Sequence, residues 1–232
     1  MEPENQLDLS VIVPCFNAAE TLNDQLEALA VQQWTGRWEV LIVDNGSTDA
    51  TREIARSSTV GDRLRLIDAT RGQSVAYARN AGVEASTARA VVFCDGDDAV
   101  RPGWVAAMGE ALFTQPLVSG AVDATRINED WLAETRPTGS SNQLPKFGDH
   151  VFARGNNTGM WRSLWERLGG YDEDFHGLED IELSLRATAL GVIPTFVADA
   201  IVDYRYRPGI RPLWKQGYFY GRGRSELSRR AQ

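Results

Sequence analysis

Val91-Val92-Phe93-Cys94-Asp95-Gly96-Asp97-Asp98 begins as a buried strand and ends in acid. Four apolar residues in a row suit a parallel strand covered on both faces. Three carboxylates then fall within four residues, and the alternation of an extended chain turns Asp95 and Asp97 the same way. Two carboxylates about 5 Å apart repel by about 3 kcal/mol at a near-surface dielectric. A cation between them relieves that repulsion, and hard divalent ions such as Mg2+ or Mn2+ take oxygen ligands of this kind. Gly96 lets the backbone approach a ligand closely. Alone, the stretch reads equally well as a solvated acidic turn after a strand, so the rest of the chain decides.

Upstream, strands and helices alternate. Leu9 to Val13 reads as a strand stopped by Pro14, and Leu22, Leu26 and Leu29 mark a helix over about Ala19 to Gln33. Trp38 to Val43 is a second strand, ending at Asp44 before the turn Asn45-Gly46. A helix to about Ser57, a strand over Arg63 to Asp68, and a helix from Gly72 to about Ala85 complete the run. This β-α-β-α-β-α-β order predicts a parallel sheet with helices on its faces, binding ligands beyond the carboxyl ends of its strands. Asn17, Asp44 and the Asp95–Asp98 cluster all fall at such ends.

Downstream the pattern loosens. A helix begins near Pro102, and Leu117 to Ile127 reads as a longer strand. Asn128 to Gly148 reads as a polar, flexible connection, and His150 to Arg154 as a short strand. Helices follow over Trp161 to Leu168 and Leu178 to Leu190. Two strands are expected at Ile193 to Val197 and Ile201 to Tyr206, then a basic, aromatic terminal helix from Gly209.

Composition removes several function classes. At 232 residues the chain suits one large domain or two small ones, and no apolar run is long enough for a membrane span. No secretory signal is evident at the N-terminus. Net charge is −8, which argues against nucleic acid as a partner. The balance is uneven: from Arg205 to Arg230 eight cations face one acid, Glu226. Two cysteines, Cys15 and Cys94, and two histidines offer no zinc spacing, and free thiols are expected in a reducing cytoplasm. An acid after the second strand also marks dinucleotide-binding domains, but Pro14-Cys15-Phe16-Asn17-Ala18-Ala19 lacks the glycine-rich loop they need.

Six motifs in order, Val11-Ile12-Val13-Pro14-Cys15-Phe16-Asn17-Ala18, Val43-Asp44-Asn45-Gly46-Ser47-Thr48-Asp49, Ala78-Arg79-Asn80-Ala81-Gly82, Asp95-Gly96-Asp97-Asp98, Gly169-Gly170-Tyr171-Asp172-Glu173 and Glu179-Asp180-Ile181-Glu182-Leu183-Ser184-Leu185-Arg186, resemble those of the family 2 glycosyltransferases. The resemblance covers about residues 8 to 206. It implies an α/β GT-A fold: a Rossmann-type nucleotide-binding half with a mostly parallel central sheet, over about 8–98, and a mixed acceptor-side half over about 99–207. With a basic, aromatic segment over about 208–232, residues 1–232 form a single GT-A-like domain.

The activity implied is inverting transfer of a sugar from a nucleotide-sugar donor, commonly UDP-linked, to a hydroxyl acceptor. Asp44 would then accept a hydrogen bond from the base, with Pro14, Phe16 and Asn17 lining the nucleotide pocket. Arg79 and Gly72 would lie near the diphosphate-sugar. Asp97 would be the main ligand of Mn2+ or Mg2+, with Asp95 beside it and touching ribose or sugar. Asp180 would act as general base, removing the acceptor hydroxyl proton as its oxygen attacks the anomeric carbon. Glu179, Asn157 and Trp161 would lie near acceptor or sugar. Many relatives carry a His where Asp203 stands, making Asp203 a further candidate ligand.

Each residue also has a plainer reading. Asp44 suits a turn, Phe16 and the tryptophans a core, Arg79 a helix surface, Asn157 a cap, and Asp180 an acidic first helical turn. The acceptor is expected to be a glycan, a lipid-linked molecule or a small molecule, with no nucleic acid. The protein is expected in the cytoplasm, with peripheral contact at the inner face of the membrane through the basic segment. The plainer reading of that segment packs its aromatics inward and leaves its arginines in water. The alternative function is a non-catalytic domain of this fold that binds a sugar nucleotide or glycan.

Overall fold

A computed structural model of the chain describes residues 6–135, 141–175, 177–206 and 209–230. The first half follows the predicted alternation: β1 (Leu9–Cys15), α1 (Leu22–Ala30), β2 (Trp38–Asp44), α2 (Thr51–Arg56), β3 (Leu64–Asp68), α3 (Val75–Ala85) and β4 (Ala90–Phe93). The second half comprises β5 (Ala99–Val100), α4 (Trp104–Ala111), β6 (Leu117–Asp123), α5 (Asp130–Thr135), β7 (Lys146–Phe147), β8 (His150–Val151), β9 (Thr158–Trp161), α6 (Arg162–Leu168), α7 (Glu179–Ala189), β10 (Thr195–Asp203) and α8 (Ile210–Arg230). Among the described residues no helix is long and apolar enough to cross a membrane.

One eight-stranded sheet crosses both halves in the order β3-β2-β1-β4-β9-β6-β10-β5. The first four strands are parallel, β9 runs antiparallel to both β4 and β6, and β6 pairs with β10 in parallel. Every residue of β2 and β4 is buried. Val11, Val40, Ile42 and Val92 turn to the face covered by α1 and α4, where Leu22, Leu26, Leu29, Trp104 and Met108 are buried. Their neighbours Ile12, Leu41, Val43, Val91 and Phe93 turn to the other face, under Ala78, Leu164 and Leu183. Burial on both faces is why these strands read as unbroken apolar runs, each such side chain contributing about 1.5–3 kcal/mol.

The departures from expectation lie mostly downstream. β1 continues through Pro14 to Cys15, pairing Pro14 with Val43. Asn128 to Gly148 is not wholly a loop, since it carries α5 and β7. Thr158-Gly159-Met160-Trp161 is a strand rather than a cap and a helix start. Gly159 fits there because a side chain would press on Val92, Leu112 and Val118 at about 3 Å. The two strands expected near residue 200 are one, β10, with a register shift between Val197 and Ile201. His176 and Arg207, counted among the histidines and in the basic run, lie outside the described residues.

Candidate active site

The carboxyl ends of β1, β2 and β4 meet on one edge, and the segments leaving them are tied together. Asn17, at φ +50°, accepts from the backbone N–H of Thr48 at 2.8 Å and donates its own N–H to Ser47 Oγ at 2.9 Å. Phe16 is 54% exposed at this edge, so it is not a core aromatic. Asp44 is fully buried. Its Oδ1 accepts from Ser47 N–H at 3.2 Å, while its Oδ2 has no hydrogen-bond partner among the described residues and lies 3.5 Å from Arg52 Nε. A buried carboxylate oxygen that is ion-paired but accepts no hydrogen bond has acceptor capacity left over. The Asn45 amide donates to Gly72 O at 2.6 Å and holds the Gly72 turn against the end of β2.

Beyond β4, carboxylate oxygens of Asp95, Asp97 and Asp98 lie within 4.8 Å of one another. Asp98, absent from the sequence-based set, is the most enclosed of the three. It accepts from Asn156 Nδ2 at 2.7 Å and from the backbone N–H of Arg205 at 2.9 Å. Burial, then Asp97 and Asp95, push its pKa well above the usual carboxylate range. Three converging hard oxygen donors under that mutual repulsion fit a divalent cation. Gly96 makes its close approach to Cys15 Sγ rather than to a ligand position, since a Cβ there would stand 2.8 Å from the sulfur. Cys15 and Cys94 are both free and buried, and burial together with the nearby carboxylates raises both thiol pKa values.

Across the edge, α7 brings its first residues toward this cluster. Arg79, almost wholly buried on α3, donates to Asp95 Oδ1 at 3.1 Å and to Glu179 Oε1 at 2.8 Å, and lies over the Tyr171 ring. Burial works against its charge, but the surrounding acids outweigh it and hold its pKa above the usual value. Asp180 accepts from Gly155 N–H through Oδ2 at 3.0 Å and from Ile181 N–H through Oδ1 at 2.9 Å. Burial pushes its pKa up to about 6 and Glu179 adds to the rise, opposed by the two N–H donors and Arg79. A Cβ at Gly155 would stand 2.9 Å from the Arg79 guanidinium, so that side chain would have to give way.

Three expected site residues are placed elsewhere. Asn157 is fully buried, donating to Ala121 O at 2.7 Å and Ala200 O at 2.9 Å and accepting from Trp104 Nε1 at 2.9 Å. It joins α4, β6 and β10 and has nothing left to offer a sugar. Trp161 packs between the two cores and donates to Leu112 O at 2.6 Å. Asp203 does not join the acidic cluster; Arg101 at 2.6 Å and Arg126 at 3.2 Å take its oxygens. Arg205, two residues on, reaches the cluster instead, donating from Nε to Asp97 O at 2.9 Å and pairing with Asp24 at 2.5 Å. Asp98, Gly155 and Arg205 are the neighbours not singled out from sequence. Asp98 was visible in the motif, and the other two carry no local signal.

Comparison with known proteins gives the family and the fold. The family model described as Glycosyl transferase family 2 matches residues 10–169. The chain is 31% identical over 225 residues to Glycosyltransferase AglE of Haloferax volcanii, covering 94% of this chain and 73% of that protein. Among solved structures it resembles the mannosyltransferase PcManGT of Pyrobaculum calidifontis, in complex with GDP-Man and Mn2+ (TM-score 0.70, 24% identity, 92% of this chain and 61% of that one). It also resembles glucosyl-3-phosphoglycerate synthase of Mycobacterium tuberculosis, in complex with Mn2+, UDP and glucosyl-3-phosphoglycerate (TM-score 0.65, 20% identity, 95% of this chain and 78% of that one). Other relatives are longer, and the chain spans 43% of one of them. The structural likenesses give the GT-A fold, and the matched family model, spanning well over half of the chain, makes this chain a member of glycosyl transferase family 2.

Proposed function

We propose that the chain transfers a sugar from a UDP-linked donor to a hydroxyl acceptor with inversion, residues 1–232 acting as one unit. The observation that carries this reading is the Arg79 bridge, which holds the acidic cluster through Asp95 and the start of α7 through Glu179. Asp180 stands beside that bridge with a pKa of about 6, so it is mostly ionised at neutral pH and basic enough to accept a proton. It takes the acceptor hydroxyl proton as that oxygen attacks the anomeric carbon. A single displacement needs no nucleophilic side chain. The N–H of Gly155 fixes the carboxylate's direction, and Arg79 and Glu179 set its local field.

On the donor side Oδ2 of Asp44, ion-paired to Arg52 but without a hydrogen bond, is an acceptor for the imide N–H of uracil, with Arg52 shifting aside. Phe16 supplies an exposed ring for the base, and the Gly72 turn borders the diphosphate. Asp95, Asp97 and Asp98 would hold Mn2+ or Mg2+, which supplies positive charge to the leaving diphosphate when bound. Support for a metal and a uridine nucleotide also comes from the Mn2+ and UDP bound by glucosyl-3-phosphoglycerate synthase.

Calorimetric titration of UDP, GDP, TDP and CDP, each with and without Mn2+, tests the donor side. Metal-dependent binding of UDP alone, lost in Asp97→Ala, is the expected result. Binding of another nucleotide in its place overturns the uracil assignment, and binding of none overturns the donor site.

A further inference from the structure

The helix α8 lies over the segment that leads into α7, and among the described residues its outer face is left uncovered. Its inner side is tightly seated. A Cβ at Gly223 would collide with the backbone of Gly177, and Leu227 is buried against Phe175 and Ile181. Arg224 lies over the Phe147 ring at 5.9 Å. On the opposite side Trp214, Tyr218, Arg222, Ser225 and Arg229 follow one another at spacings of four, four, three and four. At 3.6 residues per turn these five fall within about 80° of the helix circumference. All five are exposed, Trp214 at 72% and Tyr218 at 57%, with the two rings stacked 5.9 Å apart. The plainer reading of this segment, aromatics packed inward and only arginines in water, therefore fails at its two outermost aromatics.

Charge separates this helix from the rest of the molecule. Ile210–Arg230 holds six cations against Glu226, a net +5, so the remainder of the chain carries −13. Such a molecule turns its cationic helix toward an anionic surface and its body away from it. Trp and Tyr with interspersed Arg, in place of Leu and Ile, is the chemistry of a water–bilayer boundary: amphipathic rings seat at the headgroups while guanidinium groups reach lipid phosphates. We propose that the outer face of α8 docks the protein on an anionic bilayer surface, lying along it without crossing. The helix has the length for this, about 30 Å. Arg205, just ahead of α8, is bound to the acidic cluster, and Gly177 underlies Gly223, so the docked helix is joined to the site through its inner side.

The test is cosedimentation of the full chain with vesicles of phosphatidylcholine alone and of phosphatidylcholine with an equal part of phosphatidylglycerol. Binding to the mixed vesicles alone, weakening as salt rises, is expected. Trp214→Ala with Tyr218→Ala is expected to weaken it at least about tenfold. Arg222→Ser with Arg229→Ser should weaken it comparably and flatten the salt dependence. Each variant is checked for intact folding by its thermal melt. Failure of the wild type to sediment with mixed vesicles overturns the proposal. So does binding that the aromatic pair does not affect, or light scattering that shows a dimer, without lipid, dissolved by the same substitutions. Nucleotide titration is a separate measurement, so a failed donor site and a failed docking face give different results.

Discussion

The donor side and the acceptor side of this site are built differently. Asp44, Asn17 and the Asp95–Asp98 cluster sit at the ends of adjacent parallel strands, where backbone registers such as Cys15 with Asp44 fix their positions. Asp180 stands in the first turn of a helix and is held by a backbone N–H from a distant loop, while a guanidinium from α3 holds its neighbour Glu179. A strand end is rigid because its neighbours are hydrogen-bonded on both sides. The start of α7 is placed by the packing of Ile181 and Leu183 and by a few polar contacts, of which the Arg79–Glu179 pair and the Asp180 carboxylate are open to single substitutions. The lesson is that donor-side substitutions act through the groups they delete, while acceptor-side substitutions also act through geometry.

The largest effect expected is on the donor side. Asp97→Ala should abolish metal-dependent nucleotide binding and lower turnover by about a thousandfold or more. Turnover retained within about tenfold would break the comparison at its stronger end. Asp180→Asn should lower kcat by about a hundredfold to ten-thousandfold while leaving the nucleotide Kd unchanged. On the proposed mechanism the raised pKa of Asp180, about 6, means that protonation below that pH removes the base. Activity should therefore fall about tenfold per pH unit on the acid side, and rise to a plateau above it. The groups facing Asp180 that set this limb are Glu179, Arg79 and Tyr171, with Arg154 beside it. An acid limb near pH 4 would sever the link between burial and basicity.

Asn157→Ala separates scaffold from site. It strands Trp104 Nε1 and the carbonyls of Ala121 and Ala200, so denaturant unfolding should show a loss of about 2–4 kcal/mol. Nucleotide affinity in the folded fraction should not move. Gly155→Ala tests geometry directly, because its Cβ must displace the Arg79 guanidinium. Turnover should drop about tenfold with little change in nucleotide Kd, since a small misplacement of a base is costly. The smallest effect belongs to Phe16→Ala. The ring is exposed, so stability should be unaffected, and nucleotide binding should weaken by about 1 kcal/mol, read by calorimetry.

How much of this was legible in the sequence follows the same division. β1, β2 and β4 announced themselves because burial on both faces demands nearly continuous apolar runs, whereas the half-exposed edge strand β3 was placed by the alternation of elements, and Asp44 and Asp95 were found by following the buried runs to their ends. β9 was not legible. Its four residues are too few to show a period, and its polar neighbours Asn156 and Asn157 imitate a helix cap. Asn157 was mistaken for a sugar contact because a polar residue gives no local sign of the buried carbonyls that satisfy it. Arg205 reaches Asp98 across 107 residues of chain, and Gly155 meets Asp180 across 25. No spacing rule encodes such pairings; they appear only when the sheet has brought distant segments together.

The two thiols beside the site carry a practical consequence. Cys15 and Cys94 are enclosed and surrounded by carboxylates, and both disfavour the thiolate that maleimides and oxidants attack. The native chain is therefore silent to thiol-directed reagents while folded. A single cysteine introduced on the surface would take a fluorophore or spin label cleanly, without first stripping the two natural ones from the core. Reaction of the native cysteines would in turn report opening of the β1–β4 edge, giving a chemical clock for unfolding at the site itself.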